Sequence, residues 1–173
     1  IRRSEALGLP VRAHLASGLL TLMPVRTGQL MAGEFAERVR RQVEEQGVRV
    51  VVIDSLTGYL SAMPSARLLL TQMHDLLQVL SGAGVLTLLV VAQHGVLGPG
   101  LGGPIDVSYL ADAVLALRHF EADGVLRKAI SVFKKRYGDH EKHIRELLIR
   151  PGGIAVGAPL RGFQGLLGGA PVV

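Results

Sequence analysis

Two stretches decide the fold class: residues 48–54, Val48-Arg49-Val50-Val51-Val52-Ile53-Asp54, and residues 85–92, Val85-Leu86-Thr87-Leu88-Leu89-Val90-Val91-Ala92. Both are short, rich in branched residues and nearly continuous in apolar character, with no strict alternation. A strand apolar on both sides is one whose two faces are covered, as in a parallel sheet flanked by crossover helices. Between the two runs, Pro64 suits a first helical turn, where its missing N–H is not needed. Leu69, Met73, Leu76, Leu77 and Leu80 then form a wide apolar stripe that ends at Gly82 and Gly84.

Working outward, Gly33 to Gln46 places Phe35, Ala36, Val39 and Val43 at helical spacing. Glu34/Arg38, Glu37/Arg41 and Arg41/Glu45 fall four apart on the wet side, and Gly47 supplies a left-handed terminator. Leu19 to Met23, stopped by Pro24, reads as an earlier strand. The order strand, helix, strand, helix, strand predicts an α/β fold with a mostly parallel sheet and helices on both faces. After Ala92 the pattern changes. Gly95 to Pro104 holds five glycines and two prolines, which predicts a loop. Ala113–Phe120, Val125–Lys135 and Ile144–Ile149 read as strands, with Asp123-Gly124 as a hairpin turn and Pro151-Gly152-Gly153 turning into Ile154–Val156. The C-terminal third is thus expected to be an antiparallel meander added to the edge of the parallel sheet. One partial domain over 1–173 is expected, with a core over about 19–112 and the meander and tail over about 113–173.

Composition narrows the function classes. At 173 residues, roughly 68–70 % of the unfolded surface can be buried, so the core needs no covalent staples. With no cysteine, disulfide frameworks, thiolate metal sites and cysteine nucleophiles are excluded. The longest apolar run, Val85 to Ala92, is interrupted by Thr87 and is eight residues long, against the ~20 of a membrane-spanning helix, and Ile1 to Glu5 has no apolar core of a signal peptide. A cytoplasmic location is expected, and the absent initiator Met suggests a piece of a longer chain. The net charge is +5, yet three Tyr, four Phe and no Trp give little material for stacking on single-stranded nucleic acid. Much of the positive charge lies between Arg127 and Arg145, the expected place to meet an anion.

Three features carry chemistry. Asp54 lies just past the end of a buried strand, at the sheet edge where ligands bind in open α/β folds. In P-loop ATPases this is the Walker B position, where the acid holds the water shell of Mg²⁺. The competing role is an N-cap for the following helix. Gln93 ends the next strand and could orient a water or contact a γ-phosphate. Its plain role is to begin a loop. In Lys134-Lys135-Arg136-Tyr137-Gly138-Asp139-His140, Lys134 and Arg136 share a strand face and could present a point charge and a planar fork to phosphate, with His140 joining across the turn. The plain alternative is a charged hairpin end. Other constellations fail. His140-Glu141-Lys142-His143 is one residue short of the H-E-x-x-H zinc spacing, Ser55 lacks a nucleophile elbow, His74 sits on a helix surface, and Gly98–Pro104 has no Gly-Lys-Ser/Thr ending.

Taken in order, VVVIDSLTGYLSAMP, TLLVVAQHG, SYLADAVLALRHFEADGVLRKAISVFKKRYGDHEKHIRELLI and RPGGIAVGAPLRGFQGLLGGAP resemble the RecA-type ATPase domains of the KaiC family. The likeness covers Leu19 to Pro171 and is most specific in the K-x-R-x-x-x-H pattern at Lys134, Arg136 and His140. It implies a RecA-like P-loop NTPase core, assembled as hexameric rings with ATP and Mg²⁺ between subunits in a signalling or regulatory assembly. Asp54 is then the Walker B acid, acting on Mg²⁺ through water, with Ser55 beside it on the nucleotide side. Gln93 is similar to the polar residue ending the next strand. Lys134, Arg136 and His140 reach the phosphates of a neighbour's ATP, as an arginine finger does in trans. Departures are equally plain. No G-x-x-x-x-G-K-[ST] occurs, and the family's paired glutamates belong upstream, so hydrolysis by these residues alone is not expected. Ser108 and Tyr109 stand where the clock protein carries an adjacent Ser and Thr, which argues against a clock-type phosphorylation cycle. Two other functions compete: a non-catalytic interaction module using an exposed sheet edge, and a DNA-binding recombinase-like domain. The Gly95–Pro104 loop, with no Lys, Arg or aromatic residue, speaks against the second.

Overall fold

In a computed structural model of the protein, residues 1–25, 31–60, 66–91 and 108–162 are described. The helices are α1 (Arg2–Ala6), α2 (Val11–Ala16), α3 (Ala32–Gln46), α4 (Leu56–Leu60) and α5 (Ala66–Gly82), and a 3₁₀ turn spans Ser108–Leu110. The strands are β1 (Val50–Asp54), β2 (Leu86–Val90), β3 (Ala113–Ala122), β4 (Val125–Lys135), β5 (Arg145–Arg150) and β6 (Gly153–Pro159). The fold is α/β, with a parallel sheet, helices and C-terminal antiparallel strands. Two compact units form: Met23–Ala92, and Ile1–Leu22 together with Gln93–Val173. Among the described residues no helix is long and apolar enough to cross a membrane.

In the first unit, β1 and β2 pair in parallel from Val50↔Leu86 to Asp54↔Val90. Alternation along both strands puts Val51, Ile53, Thr87 and Leu89 on one face. There Ile53 is buried together with Leu69, Met73, Leu76 and Leu80 of the α5 stripe and Phe35 and Val39 of α3. The opposite face carries Val50, Val52, Leu86, Leu88 and Val90, all exposed. Helix α3 ends where the sequence puts its stop, at Gly47 with φ +65°. Its wet side is tied by Arg38–Glu34 (2.7 Å) and Arg41–Glu37 (3.0 Å), as expected. Arg40, rather than an Arg41/Glu45 pair, makes the remaining bridges, to Glu37 at 2.9 Å and Glu44 at 2.6 Å.

In the second unit, β3 to β6 form an antiparallel meander in chain order. Asp123 (φ 54°) and Gly124 (φ 70°) take the two left-handed positions of a tight hairpin turn, which is why the Asp-Gly pair marks it. The core here is Phe120, Ala122 and Ala129, packed against Ile144 and Leu160. Beside it Arg127 forks onto Glu146 with two 2.8 Å hydrogen bonds, which hold Arg127 protonated beyond its ordinary range. The guanidinium lies 6.0 Å from the Phe120 ring centroid. The short helix α1 is tied in by Gly152 N–H donating to Leu7 C=O at 2.7 Å, and α2 is joined to α1 by Arg12–Glu5 at 2.9 Å.

One expectation is corrected. Leu19 to Met23 is not a strand: past the Ser17-Gly18 turn it runs without regular structure, with Leu19 and Leu22 exposed. A β-prone run becomes a strand only when a neighbour takes up its backbone groups, and no described strand does. Among the described strands β3 pairs with β4. The Pro64 helix start and the Gly95–Pro104 loop lie outside the described residues.

Candidate functional site

Asp54 is the last residue of β1 and is paired in register with Val90 at the carboxyl end of the parallel ladder. Its side chain is exposed and makes no ion pair with any described residue. The competing role, capping the next helix, falls to its neighbour. Ser55 Oγ accepts the Gly58 N–H at 3.2 Å, and Ser55 C=O accepts the Tyr59 N–H at 3.1 Å, which starts α4. Tyr59 leans on Phe35 with ring centroids 5.3 Å apart, and burial pushes its hydroxyl pKa up. The Asp54 carboxylate is therefore delivered to the sheet edge uncommitted to any other described residue. Gln93 lies outside the described residues.

Lys134 and Arg136 are brought together on the second unit. Opposite Phe133 the β3–β4 register slips by one, from Leu115↔Val132 to Val114↔Lys134, so Lys134 and Val132 point to opposite faces although they are two apart. Beyond the slip, Lys134 and Arg136 resume the ordinary alternation and share a face. Both then reach one short piece of backbone. Lys134 Nζ donates to Ser108 C=O at 2.7 Å, and Arg136 Nη2 donates to Tyr109 C=O at 3.2 Å. Both carbonyls belong to the 3₁₀ turn Ser108–Leu110, and that of Ser108 also accepts the Ala111 N–H at 3.3 Å. The Arg136 N–H donates to Asp112 C=O at 2.7 Å, and its Nη1 stands 3.4 Å from Asp112 Oδ1.

His140 is not drawn into this cluster by any hydrogen bond of its ring among the described residues. Its backbone N–H is taken by Asp139 Oδ1 at 2.9 Å. Around it the turn is laced by Lys135 Nζ donating to Asp139 C=O (2.8 Å) and by the Lys142–Asp139 pair (3.4 Å). Farther on, Glu141 accepts from the His143 N–H (3.0 Å), the His143 ring (2.7 Å) and Arg145 (2.7 Å), which lowers its carboxyl pKa to about 2. Sequence reasoning did not find the roles of Ser108, Tyr109 and Asp112 as partners of the two cations. Carbonyl acceptors have no residue-type signature, and the one usable signal was the acid at position 112 just ahead of a strand.

The described residues contain no group of three or more His, Asp or Glu able to enclose a metal. A lone, exposed carboxylate at a sheet edge fits contact with a hydrated Mg²⁺ already held by phosphates, not a protein-made metal cage. Two cations on one strand face fit a polyphosphate, the one as a point charge and the other as a fork.

Comparison with known proteins gives four findings. A family profile described as the ATPase KaiC matches residues 2–161. The chain is 35 % identical over 133 residues to a UPF0273 protein of Thermotoga maritima, covering 76 % of this chain and 52 % of that one. It is 38 % identical over 66 residues to the circadian clock protein KaiC3 of Synechocystis, covering 38 % of this chain and 13 % of that protein. The chain thus spans about half the length of the first relative and a small part of the second. Among solved structures it is similar to a KaiC-like protein from Pyrococcus horikoshii. There the TM-score is 0.76 at 20 % identity, over 91 % of this chain and 68 % of that one, a likeness of fold.

Proposed function

The chain belongs to the KaiC ATPase family, and from that premise we propose that it supplies two parts of an ATP site formed between neighbouring copies in a ring, six in number as the resemblance implies. The acid part is Asp54, which orients the water shell of Mg²⁺, with the Ser55 hydroxyl beside it, its hydrogen given to no described residue. The basic part is Lys134, Arg136 and His140, directed at the triphosphate of the adjoining copy. When bound, MgATP supplies the phosphoanhydride to be cleaved. Lys134 and Arg136 hold its developing negative charge, and Asp54 fixes the metal side. Gln93 is assigned to the attacking-water side on position alone. Because the 173 residues contain no Gly-Lys-Ser/Thr loop, the reading concerns a protein that carries that loop elsewhere. A signalling or regulatory role in the cytoplasm completes the proposal.

The observation that carries this reading is the pairing of Lys134 and Arg136 on one face and one turn, which a merely charged hairpin end would not need. The test is a version extended upstream to include a Gly-Lys-Thr loop. Arg136→Gln is expected to lower ATP turnover by about 10³-fold or more, within the range of arginine fingers, and Asp54→Asn by at least about tenfold. An equal mixture of the two variants should turn over faster than either alone, because some interfaces then combine an intact acid with an intact finger. Unchanged turnover in both variants would sink the proposal, and a mixture no better than its parts would place both groups in one copy.

One observation favours a second reading, that of an interaction module. The exposed apolar face of β1 and β2 and their outer edges, unpaired among the described residues, could receive another chain. Micromolar MgATP binding by the 173-residue chain counts against that alternative.

A further inference from the structure

We propose that Asp112 is a resident counter-ion for Arg136, occupying the guanidinium until an incoming polyphosphate displaces it, and that Asp112 thereby sets how tightly the basic prong takes its anion. The inference rests on the anion-site reading above and adds its regulation.

Arg136 is held three times, and the holds differ in kind. Its backbone N–H is pinned to Asp112 C=O at 2.7 Å, which fixes where the side chain starts. Its Nη2 is oriented by a neutral acceptor, Tyr109 C=O, at 3.2 Å. Its Nη1 is faced by a charged one, Asp112 Oδ1, at 3.4 Å. Only the third hold is in conflict with an anion. A carboxylate beside the fork repels a polyphosphate approaching the same N–H groups and must be left or pushed aside when the anion docks. The carbonyl carries no net charge and can stay in place, since a guanidinium has five N–H groups to distribute. The side chains of this pair are 45 % and 71 % exposed, so the pair is weak and exchangeable, as a placeholder must be.

Lys134 provides the internal contrast. It reaches the same turn through Ser108 C=O at 2.7 Å, with no carboxylate partner among the described residues. Among the described residues the two cations therefore differ in one respect: the arginine has a competing anion of its own and the lysine does not. Removing the Asp112 charge should free the fork without loosening it, because both the Tyr109 carbonyl and the backbone pin remain.

The experiment is a calorimetric titration of inorganic triphosphate into the 173-residue chain at low salt, with each variant's fold checked by circular dichroism. Asp112→Asn is expected to tighten binding roughly two- to fivefold, the scale of an exposed ion pair. The gain should vanish in the Arg136→Gln background, persist in the Lys134→Gln background, and shrink as salt is raised. Asp112→Ser serves the same purpose if the Asn variant does not fold. Binding that weakens or stays the same in Asp112→Asn, while Arg136→Gln still weakens it, overturns the proposal and makes Asp112 a positioning strut. If the wild-type chain takes no triphosphate, or Arg136→Gln leaves its binding untouched, the anion-site reading itself fails and this inference falls with it.

Discussion

Asp54 and Arg136 carry opposite charges to the proposed site, and the two units deliver them by different means. Asp54 needs nothing but topology: β1 ends, the chain turns into α4, Ser55 takes the capping hydrogen bond, and the carboxylate is left at the sheet edge without a partner among the described residues. Arg136 stands past the end of β4 on a long side chain whose freedom is worth about 2 kcal/mol when frozen. It is tied to Tyr109 C=O and Asp112, and Lys134 beside it to Ser108 C=O. A short side chain on a rigid strand is placed by the backbone that bears it. A long one at a hairpin end is placed by what it can grip.

If the grip on Arg136 depends on the meander, damage to the meander core should release it while leaving Asp54 where it is. Phe120 is 1 % exposed at the centre of that core. Phe120→Ala is expected to cost about 3–5 kcal/mol, the usual range for deleting a buried phenyl, read as a lower urea midpoint. Native-state amide exchange should localise the loss, with β3 to β5 amides losing protection and those of β1 and β2 keeping theirs. Equal loss in both sets would break the division between the units.

A smaller effect sharpens the other side of the comparison. Ser55→Ala removes the cap of α4 and should cost about 1 kcal/mol. Asp54→Asn, next door, should stay within about 0.5 kcal/mol of wild type because no described residue depends on that carboxylate for stability. Should thermal melts show Asp54→Asn as the more damaging change, the acid is structural and its freedom at the edge is illusory.

These contrasts explain what could be read from residues alone. The two apolar runs, the α5 stripe, the Gly47 stop and the Asp123-Gly124 turn were legible because each expresses a local rule: burial periodicity, or a backbone angle that few residues tolerate. Position also singled out Asp54, and alternation put Lys134 and Arg136 on one face. Leu19–Met23 misled because its residues favour extended backbone, while the partner that would make it a strand is set by tertiary structure. Helices α1 and α2 have five and six residues, too short for a periodicity to show. The Ser108 and Tyr109 carbonyls were invisible for a different reason: every residue carries one, so only coordinates reveal which ones a lysine or arginine finds. The register slip opposite Phe133 was equally hidden, since one extra residue in a ladder leaves no mark in composition.

The mildest test asks whether the two units also hold their acids differently. Glu37 on α3 has its pKa lowered from 4.5 to about 2 by hydrogen bonds from Arg40 and then Arg41. Glu141, after β4, is lowered to the same region first by the His143 backbone N–H, then by the His143 ring and Arg145. A folded pKa below the unfolded one means that the ionised carboxylate favours folding. The contribution is fully present above about pH 4.5 and is lost as pH falls toward 2. The melting temperatures of Glu37→Gln and Glu141→Gln should therefore sit slightly below wild type at pH 7, and the gaps should close as pH falls to about 2. Salt separates the two. The Glu37 contacts are exposed ion pairs and should fade in about 1 M salt, where the Debye length is about 3 Å. Glu141 keeps a backbone N–H that carries no net charge to screen, so its gap should survive better. A Glu37→Gln gap indifferent to both pH and salt would mean that the α3 ladder of charges contributes nothing to folding, and that the first unit relies on its apolar stripe alone.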